Sequence, residues 1–313
     1  MTKIVYVTGC LGLIGGAVTR KLLDQGHYVL GVDKETYASN LQFLDEFTNN
    51  SRFKYIKSDI NDLERLVDCD YIVNTAAETH VDNSIVGSDV FLKSNVNGVH
   101  HLLNLIQQKS RFNMPTLIHF STDEVYGDIV KGAHVETDLL KPSNPYSATK
   151  AAADMLVQAW ARTFNIPYVI VRPTNNYGIG QYVEKLIPKT IKYIQLGRRV
   201  DLHDYGKPRR TWLHIDDTAE AINTIIHSGV KNEIFNISGN YEDSNLSVVT
   251  KIFQGFGIKF DYEKHIADLM RPGQDVRYSI NDEKLKALGW QPSANFDIEL
   301  TRIVEYYRRN FVW

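Results

Sequence analysis

The chain has 313 residues, 43% hydrophobic and 23% charged, ordinary proportions for a soluble globular protein with room for one large domain or two smaller ones. Lys and Arg number 35 against 37 Asp and Glu, a net charge of −2 that lacks the basic excess nucleic-acid or anionic-membrane binding wants. Its two cysteines, Cys10 and Cys69, exclude a disulfide framework and a cysteine-rich zinc site.

The first apolar run, residues 4–7, is too short for an export signal, and no apolar stretch approaches the roughly 18 residues of a membrane-spanning helix. The expectation is a cytoplasmic protein without a membrane or nucleic-acid partner. In chain order, β-branched and aromatic runs at residues 4–7, 28–33, 53–57, 71–74, 117–121 and 168–172 read as strands. Residues 13–25, 91–107 and 147–164 read as helices between them. In the second, Val96, Val99, Leu103 and Ile106 recur at spacings of three and four, one face of a helix. Strands with helices between them imply βαβ units and a parallel sheet covered on both faces. Their unbroken apolar character fits burial on both sides. The fold class is therefore α/β, a Rossmann-type doubly wound sheet.

After Arg172 the texture changes, with loop-rich breaks at 173–178, 206–208, 239–245, 271–273 and 289–292. A smaller C-terminal lobe packed on the sheet follows. The expected division gives residues 1–175 plus about 212–240 to the cofactor domain, and about 176–211 plus 241–313 to a substrate lobe.

The segment Val7-Thr8-Gly9-Cys10-Leu11-Gly12-Leu13-Ile14-Gly15 sets glycines at 9, 12 and 15 between the first strand and the first helix. A pyrophosphate there needs a tight turn, bare backbone N–H groups and a helix close to the sheet. Asp33 ends the second strand 18 residues past Gly15, near the spacing of about 20 expected for a carboxylate on the adenosine ribose. A carboxylate repels a 2′-phosphate, so the cofactor is expected to be NAD, held by Gly9, Gly12, Leu13, Ile14, Gly15 and Asp33.

The even glycine spacing resembles the extended branch of the short-chain dehydrogenase/reductases. That resemblance predicts a Tyr-x-x-x-Lys pair, which Tyr146 and Lys150 supply at the start of a helix. A free phenol has a pKa near 10, too high for a base at neutral pH, and an adjacent ammonium would lower it. Between the two motifs lies His119-Phe120-Ser121-Thr122-Asp123-Glu124-Val125-Tyr126-Gly127 at the C-terminal end of a strand, where open α/β sheets bind ligands. Acidic neighbours in a loop are ordinarily solvated charges. Facing a substrate, a proton donor beside a proton acceptor performs general acid/base chemistry.

With these segments the chain resembles the nucleotide-sugar 4,6-dehydratases, most nearly those acting on dTDP-glucose, over nearly its whole length. Ala76-Ala77-Glu78-Thr79-His80-Val81-Asp82-Asn83-Ser84-Ile85, Pro173-Thr174-Asn175-Asn176-Tyr177-Gly178, Glu184-Lys185-Leu186-Ile187-Pro188, Trp212-Leu213-His214 and Arg271-Pro272-Gly273 carry the likeness. The resemblance implies that Tyr146 takes the proton of the sugar 4-hydroxyl, Thr122 holds that hydroxyl, Glu124 removes the C5 hydrogen and Asp123 protonates the departing 6-hydroxyl. Lys150 would tune Tyr146 and hold the nicotinamide ribose. Asp59 and Ile60 would join the cofactor site, and Asn175, Lys185, Arg210 and Arg271 would meet the diphosphate.

A homodimer through residues 91–107 and 147–164 is also implied. Cys10, Leu11 and Asn83 depart from the family pattern, Asn83 standing where Arg is usual. His80 reads as structural, and no His, Asp or Glu cluster has metal-ligand spacing. The alternatives are a 4-epimerase, decarboxylase or 4-dehydrogenase without the elimination, and more remotely a non-catalytic NAD-binding regulator.

Overall fold

A computed structural model describes residues 1–270 and 275–310. The first half alternates strand and helix. It runs β1 (Ile4–Thr8), α1 (Leu13–Asp24), β2 (Tyr28–Asp33), α2 (Leu41–Thr48), β3 (Phe53–Lys57), β4 (Tyr71–Asn74), α3 (Val81–Val86) and α4 (Asp89–Phe91). A π-helical segment, Leu92–Asn97, leads into α5 (Gly98–Gln107), followed by β5 (Thr116–Phe120), a 3₁₀ turn (Asp123–Tyr126), α6 (Pro145–Phe164) and β6 (Tyr168–Pro173).

The second half contains β7 (Asn175–Tyr177), α7 (Leu186–Gln195), β8 (Val200–His203), β9 (Arg209–His214), α8 (Ile215–Ser228), β10 (Glu233–Ile237) and β11 (Tyr241–Ser244). It continues with α9 (Asn245–Gly255), α10 (Tyr262–His265), β12 (Ile266–Leu269), α11 (Glu283–Lys286) and α12 (Phe296–Arg309).

Seven parallel strands form the main sheet in the order β10-β6-β5-β4-β1-β2-β3. β4 and β5 are buried at every position, as strands covered on both faces must be. On one face α1 and α8 bury Val18, Leu22, Ile222 and Ile225 against the sheet, and on the other α5 and α6 bury Leu102, Leu103, Ala153 and Val157. Each fully buried aliphatic side chain contributes about 1.5–3 kcal/mol, so these two layers fix the sheet.

Two smaller sheets, β11-β9-β7 and β12-β8, build the remainder with α7, α9 and α12, whose apolar faces meet around Ile191, Ile252 and Ile303. Trp290 is buried against the large core and donates its indole N–H to the Asp217 carbonyl at 3.0 Å, fastening the C-terminal segment to α8.

The strands expected in the first half are present with ends shifted by at most a residue or two. Residues 91–107 are not one regular helix, because the last residue of α4 runs into the π segment and only then into α5. The wider turn carries Asn95 inward: its Oδ1 accepts from Glu78 N at 2.9 Å and its Nδ2 donates to Glu78 O and Thr149 Oγ1, both at 3.0 Å. That residue ties the loop after β4 to α6. Val99, Leu103 and Ile106 are buried as the spacing predicts, and Val96 is half-buried.

Candidate active site

A cavity of about 510 Å³ runs along the C-terminal ends of the sheet strands and into the smaller sheets. Its first wall is the glycine loop. Gly9 follows β1 at φ +69°, and a Cβ there would stand 2.8 Å from the Ala76 backbone. A Cβ on Gly15 would overlap the Gly9 carbonyl and lie 2.7 Å from Thr75 Oγ1. α1 begins after Gly12 with no side chain capping it, so its first N–H groups remain for an anion.

Asp33 closes this wall. Its Oδ2 accepts from Leu11 N at 3.0 Å, and its Oδ1 accepts from Glu35 N at 2.8 Å and from the Ser39 hydroxyl at 2.9 Å. Gly12, Leu13, Ile14, Asp59 and Ile60 also line the cavity. This bare cradle with a carboxylate at its edge fits a dinucleotide. Cys10 and Leu11 are fully buried in the sheet core and do not line the cavity, so these departures leave its wall unchanged.

Past β5 the chain turns at Thr122, whose Oγ1 accepts from Glu124 N at 3.4 Å and donates to Asp123 Oδ1 at 3.2 Å. Asp123 is 3% exposed. Burial first, and then the neighbouring Glu124 charge, push its carboxyl up to about 7, with Arg210 opposing. Its Oδ2 has no hydrogen-bond partner among the described residues. Glu124 is raised above the ordinary carboxylate value, chiefly by burial, while Arg210 and Asn144 oppose the shift. Its Oε2 accepts from Asn144 Nδ2 at 3.3 Å and lies 3.5 Å from the Tyr278 hydroxyl oxygen.

The α6 N-terminus supplies the phenol. Asn144 caps the helix through Ser147 N at 2.9 Å, and Tyr146 N donates to Ser84 Oγ at 3.2 Å. The Tyr146 hydroxyl hydrogen-bonds Thr122. Burial, then Glu124 and Asp123, raise its pKa above that of free tyrosine. The sequence assigns its tuning to Lys150. Here the Lys150 ammonium lies behind the cavity wall, donates to the Phe120 carbonyl at 2.6 Å, and is acted on by the Asp154 charge. The charges of the carboxylates at 124 and 123 oppose ionisation of the phenol.

Asn175, Lys185 and Arg210 line the far part of the cavity. Lys185 Nζ donates to Thr79 O and Oγ1, both at 3.1 Å, and pairs with Glu184 at 3.2 Å. Arg210 donates to Arg209 O at 2.8 Å and Asp275 O at 3.2 Å, with its guanidinium carbon 4.5 Å from the centre of the Tyr278 ring. Its charge bears on Asp123 and Glu124, a role the sequence reading did not give it. Arg271 lies outside the described residues. His80 Nδ1 accepts from Asn83 N at 3.3 Å and caps α3, a structural task at the cavity edge. The Asn83 side chain hydrogen-bonds the Tyr37 hydroxyl.

Sequence reasoning missed Asn144, Tyr278 and Asp275, all on the cavity wall. Ser143 Oγ and the Tyr278 hydroxyl both donate to Asp275 Oδ2. An Asn before Pro at a helix start is a capping signal that could have found Asn144. Nothing local marks Tyr278, which lies 154 residues from Glu124.

The parallel sheet, glycine cradle and Tyr146–Thr122 pair define an α/β enzyme fold of the extended short-chain dehydrogenase/reductase type. The chain belongs to the family described as GDP-mannose 4,6 dehydratase, whose profile matches residues 6–303. It is 38% identical to the low-salt glycan biosynthesis protein Agl12 of Haloferax volcanii over 97% of this chain and 98% of that protein. It is equally 38% identical to dTDP-glucose 4,6-dehydratase of Streptomyces niveus, over 99% of this chain and 94% of that one. Among solved structures, DesIV of Streptomyces venezuelae, a dTDP-glucose 4,6-dehydratase with NAD and TYD bound, superposes with a TM-score of 0.91 at 34% identity, covering 98% of this chain and 97% of that chain.

Proposed function

We propose that the chain is an NAD-dependent nucleotide-sugar 4,6-dehydratase, a hydro-lyase that converts an NDP-hexose of the dTDP-glucose or UDP-glucose type to the NDP-4-keto-6-deoxy sugar. One observation carries this reading: Asp123, held near pKa 7, stands beside Glu124 within the same cavity as Tyr146 and Thr122. Hydride transfer alone does not call for an acid beside a base; elimination of water does, at C6 and C5 respectively.

Gly9, Gly12, Leu13, Ile14, Gly15, Asp33, Asp59 and Ile60 would hold the cofactor. When bound, NAD supplies the hydride acceptor and donor of a redox-neutral cycle. Tyr146 takes the proton of the 4-hydroxyl while Thr122 holds that oxygen. The 4-ketone acidifies C5–H, and Glu124 removes that proton. Asp123, protonated near neutral pH, delivers its proton to the departing 6-hydroxyl. Lys150 is assigned to hold the nicotinamide ribose and favour the phenolate. Asn175, Lys185, Arg210 and Arg271 are assigned to the diphosphate, which charge-assisted donors suit.

The division of the chain follows the same logic. Residues 1–175 plus about 212–240 form the NAD-binding domain, and about 176–211 plus 241–313 the nucleotide-sugar lobe. The working form is a homodimer in the cytoplasm. Val90 just before the 91–107 segment, Leu92 at its start and Met155 on α6 are exposed, which supports pairing through those elements. Light scattering is expected to give twice the chain mass. No described helix is long and apolar enough to cross a membrane.

The deciding experiment incubates the purified protein with dTDP-glucose and UDP-glucose and follows product mass. Loss of one water supports dehydration. A new isomer of unchanged mass points to epimerisation, loss of two hydrogens to net 4-dehydrogenation, and no turnover of either sugar overturns the reading.

A further inference from the structure

Tyr146, Lys150 and Asp154 are successive residues on one face of α6, four positions apart. The first two enter the proposed reaction. Asp154 does not, yet it is fully buried, where a carboxylate persists only with partners.

Those partners come from the sheet. Arg172 on β6 is 1% exposed and donates Nε and Nη2 to Asp154 Oδ2 at 3.0 and 2.9 Å. Its Nη1 donates to the Tyr126 hydroxyl at 2.7 Å, and that hydroxyl donates to Asn236 Oδ1 at 2.9 Å, so the guanidinium has one available pose. From β5, His119 faces the other oxygen. The Thr8 hydroxyl donates to Asn74 Oδ1 at 2.6 Å, which leaves the Asn74 amide hydrogen for His119 Nδ1 at 3.2 Å. The ring proton therefore sits on Nε2, 3.8 Å from Asp154 Oδ1 and beyond hydrogen-bond reach of it.

Burial first, then Lys150 and Arg172, keep His119 neutral by driving its pKa well below the usual value. The groups around Lys150 are thus Tyr146 and Asp154 from its own helix, His119 from β5 and Arg172 from β6. Burial pulls the ammonium down to about 8, and the Asp154 charge is what opposes that loss. Arg172 is matched by its paired contact with the carboxylate.

We propose that Asp154 is a positioning residue for the reaction, the buried counter-charge one helical turn from Lys150 on the same face of α6, with Arg172 fixing the carboxylate. The proposal rests on the cofactor-side role assigned to Lys150 above.

The test compares wild type, Asp154→Asn, Asp154→Glu and the double variant Asp154→Asn/Arg172→Met as full chains. Two readouts are taken against pH: kcat on the nucleotide sugar, and NAD affinity by calorimetry. Asp154→Asn moves the alkaline limb of both curves down by about one pH unit or more. KM for the sugar nucleotide stays within about twofold, and Asp154→Glu restores the limb. The double variant removes both charges together, so it carries the same expectation where the single amide variant fails to fold. Alkaline limbs that coincide with wild type, or an equal loss at every pH, overturn the proposal. Wild-type turnover is measured in the same series. A wild type that makes no 4-keto-6-deoxy product overturns the assigned reaction, and the NAD-affinity limb then judges Asp154 by itself.

Discussion

Asp123 and Glu124 are adjacent at the end of β5, and the charge on Glu124, added to burial, holds a proton on Asp123 up to about pH 7. An acid whose pKa rises on folding binds its proton more tightly in the native state. Its contribution to stability is complete below the unfolded value of 3.8 and is lost as pH climbs through about 7. Asp123→Asn removes the ionisation, so it should melt higher than wild type above pH 7. The gap, on the order of 4 kcal/mol for a shift of about three units, should close as pH approaches 4. Thermal melts at pH 4, 6 and 8 check this. An equal gap at every pH would remove the proton from the explanation.

Glu124→Gln keeps the contacts to Asn144 and Tyr278 within reach but supplies no base. Turnover should fall by about 10²–10⁴-fold, with nucleotide-sugar binding retained. Incubation in heavy water followed by mass spectrometry should find neither deuterium at C5 nor loss of water. Wild-type exchange at C5 in that variant would take Glu124 out of the mechanism.

Gly15→Ala tests the cofactor cradle. Its methyl group meets the Gly9 carbonyl and Thr75 Oγ1, so α1 must retreat from the loop at a cost of about 1–3 kcal/mol. The purified variant should hold less NAD than wild type, measured as nucleotide released on denaturation, while circular dichroism stays native.

Arg210→Gln separates two duties of one side chain. Losing a charge-assisted partner for the diphosphate should raise KM about 10–100-fold, equivalent to the 1.5–3 kcal/mol of such bonds. The guanidinium also opposes the upward shifts of Asp123 and Glu124. Removing it should therefore move the acidic limb of the pH–rate profile to higher pH. A KM change with an unmoved limb would confine Arg210 to binding.

The first six strands were legible because each is a compact run of β-branched and aromatic residues, and β4 and β5 are buried at every position. The π segment was not. One added residue in a helical turn leaves the spacing of Val99, Leu103 and Ile106 intact while it turns Asn95 inward. The later strands are short and mixed in character. Tyr241–Ser244, a strand with no fully buried position, has no apolar period to read. Within the site, motifs carried Thr122, Asp123, Glu124 and Tyr146. Tyr278 and the reach of Arg210 to the acid pair arise from packing between distant segments, which no local spacing records.

The 154 residues between Glu124 and Tyr278 also bear on the order in which the molecule is made. The glycine cradle needs only β1, β2, β4 and the loops beside them, all within the first 76 residues of the chain. The Tyr278 contact to Glu124 forms only when residues beyond β12 dock. During synthesis from the N-terminus, a nascent chain can therefore complete its nucleotide cradle long before Glu124 meets Tyr278. A ribosome-stalled chain ending after β6 should already retain the nucleotide yet eliminate no water.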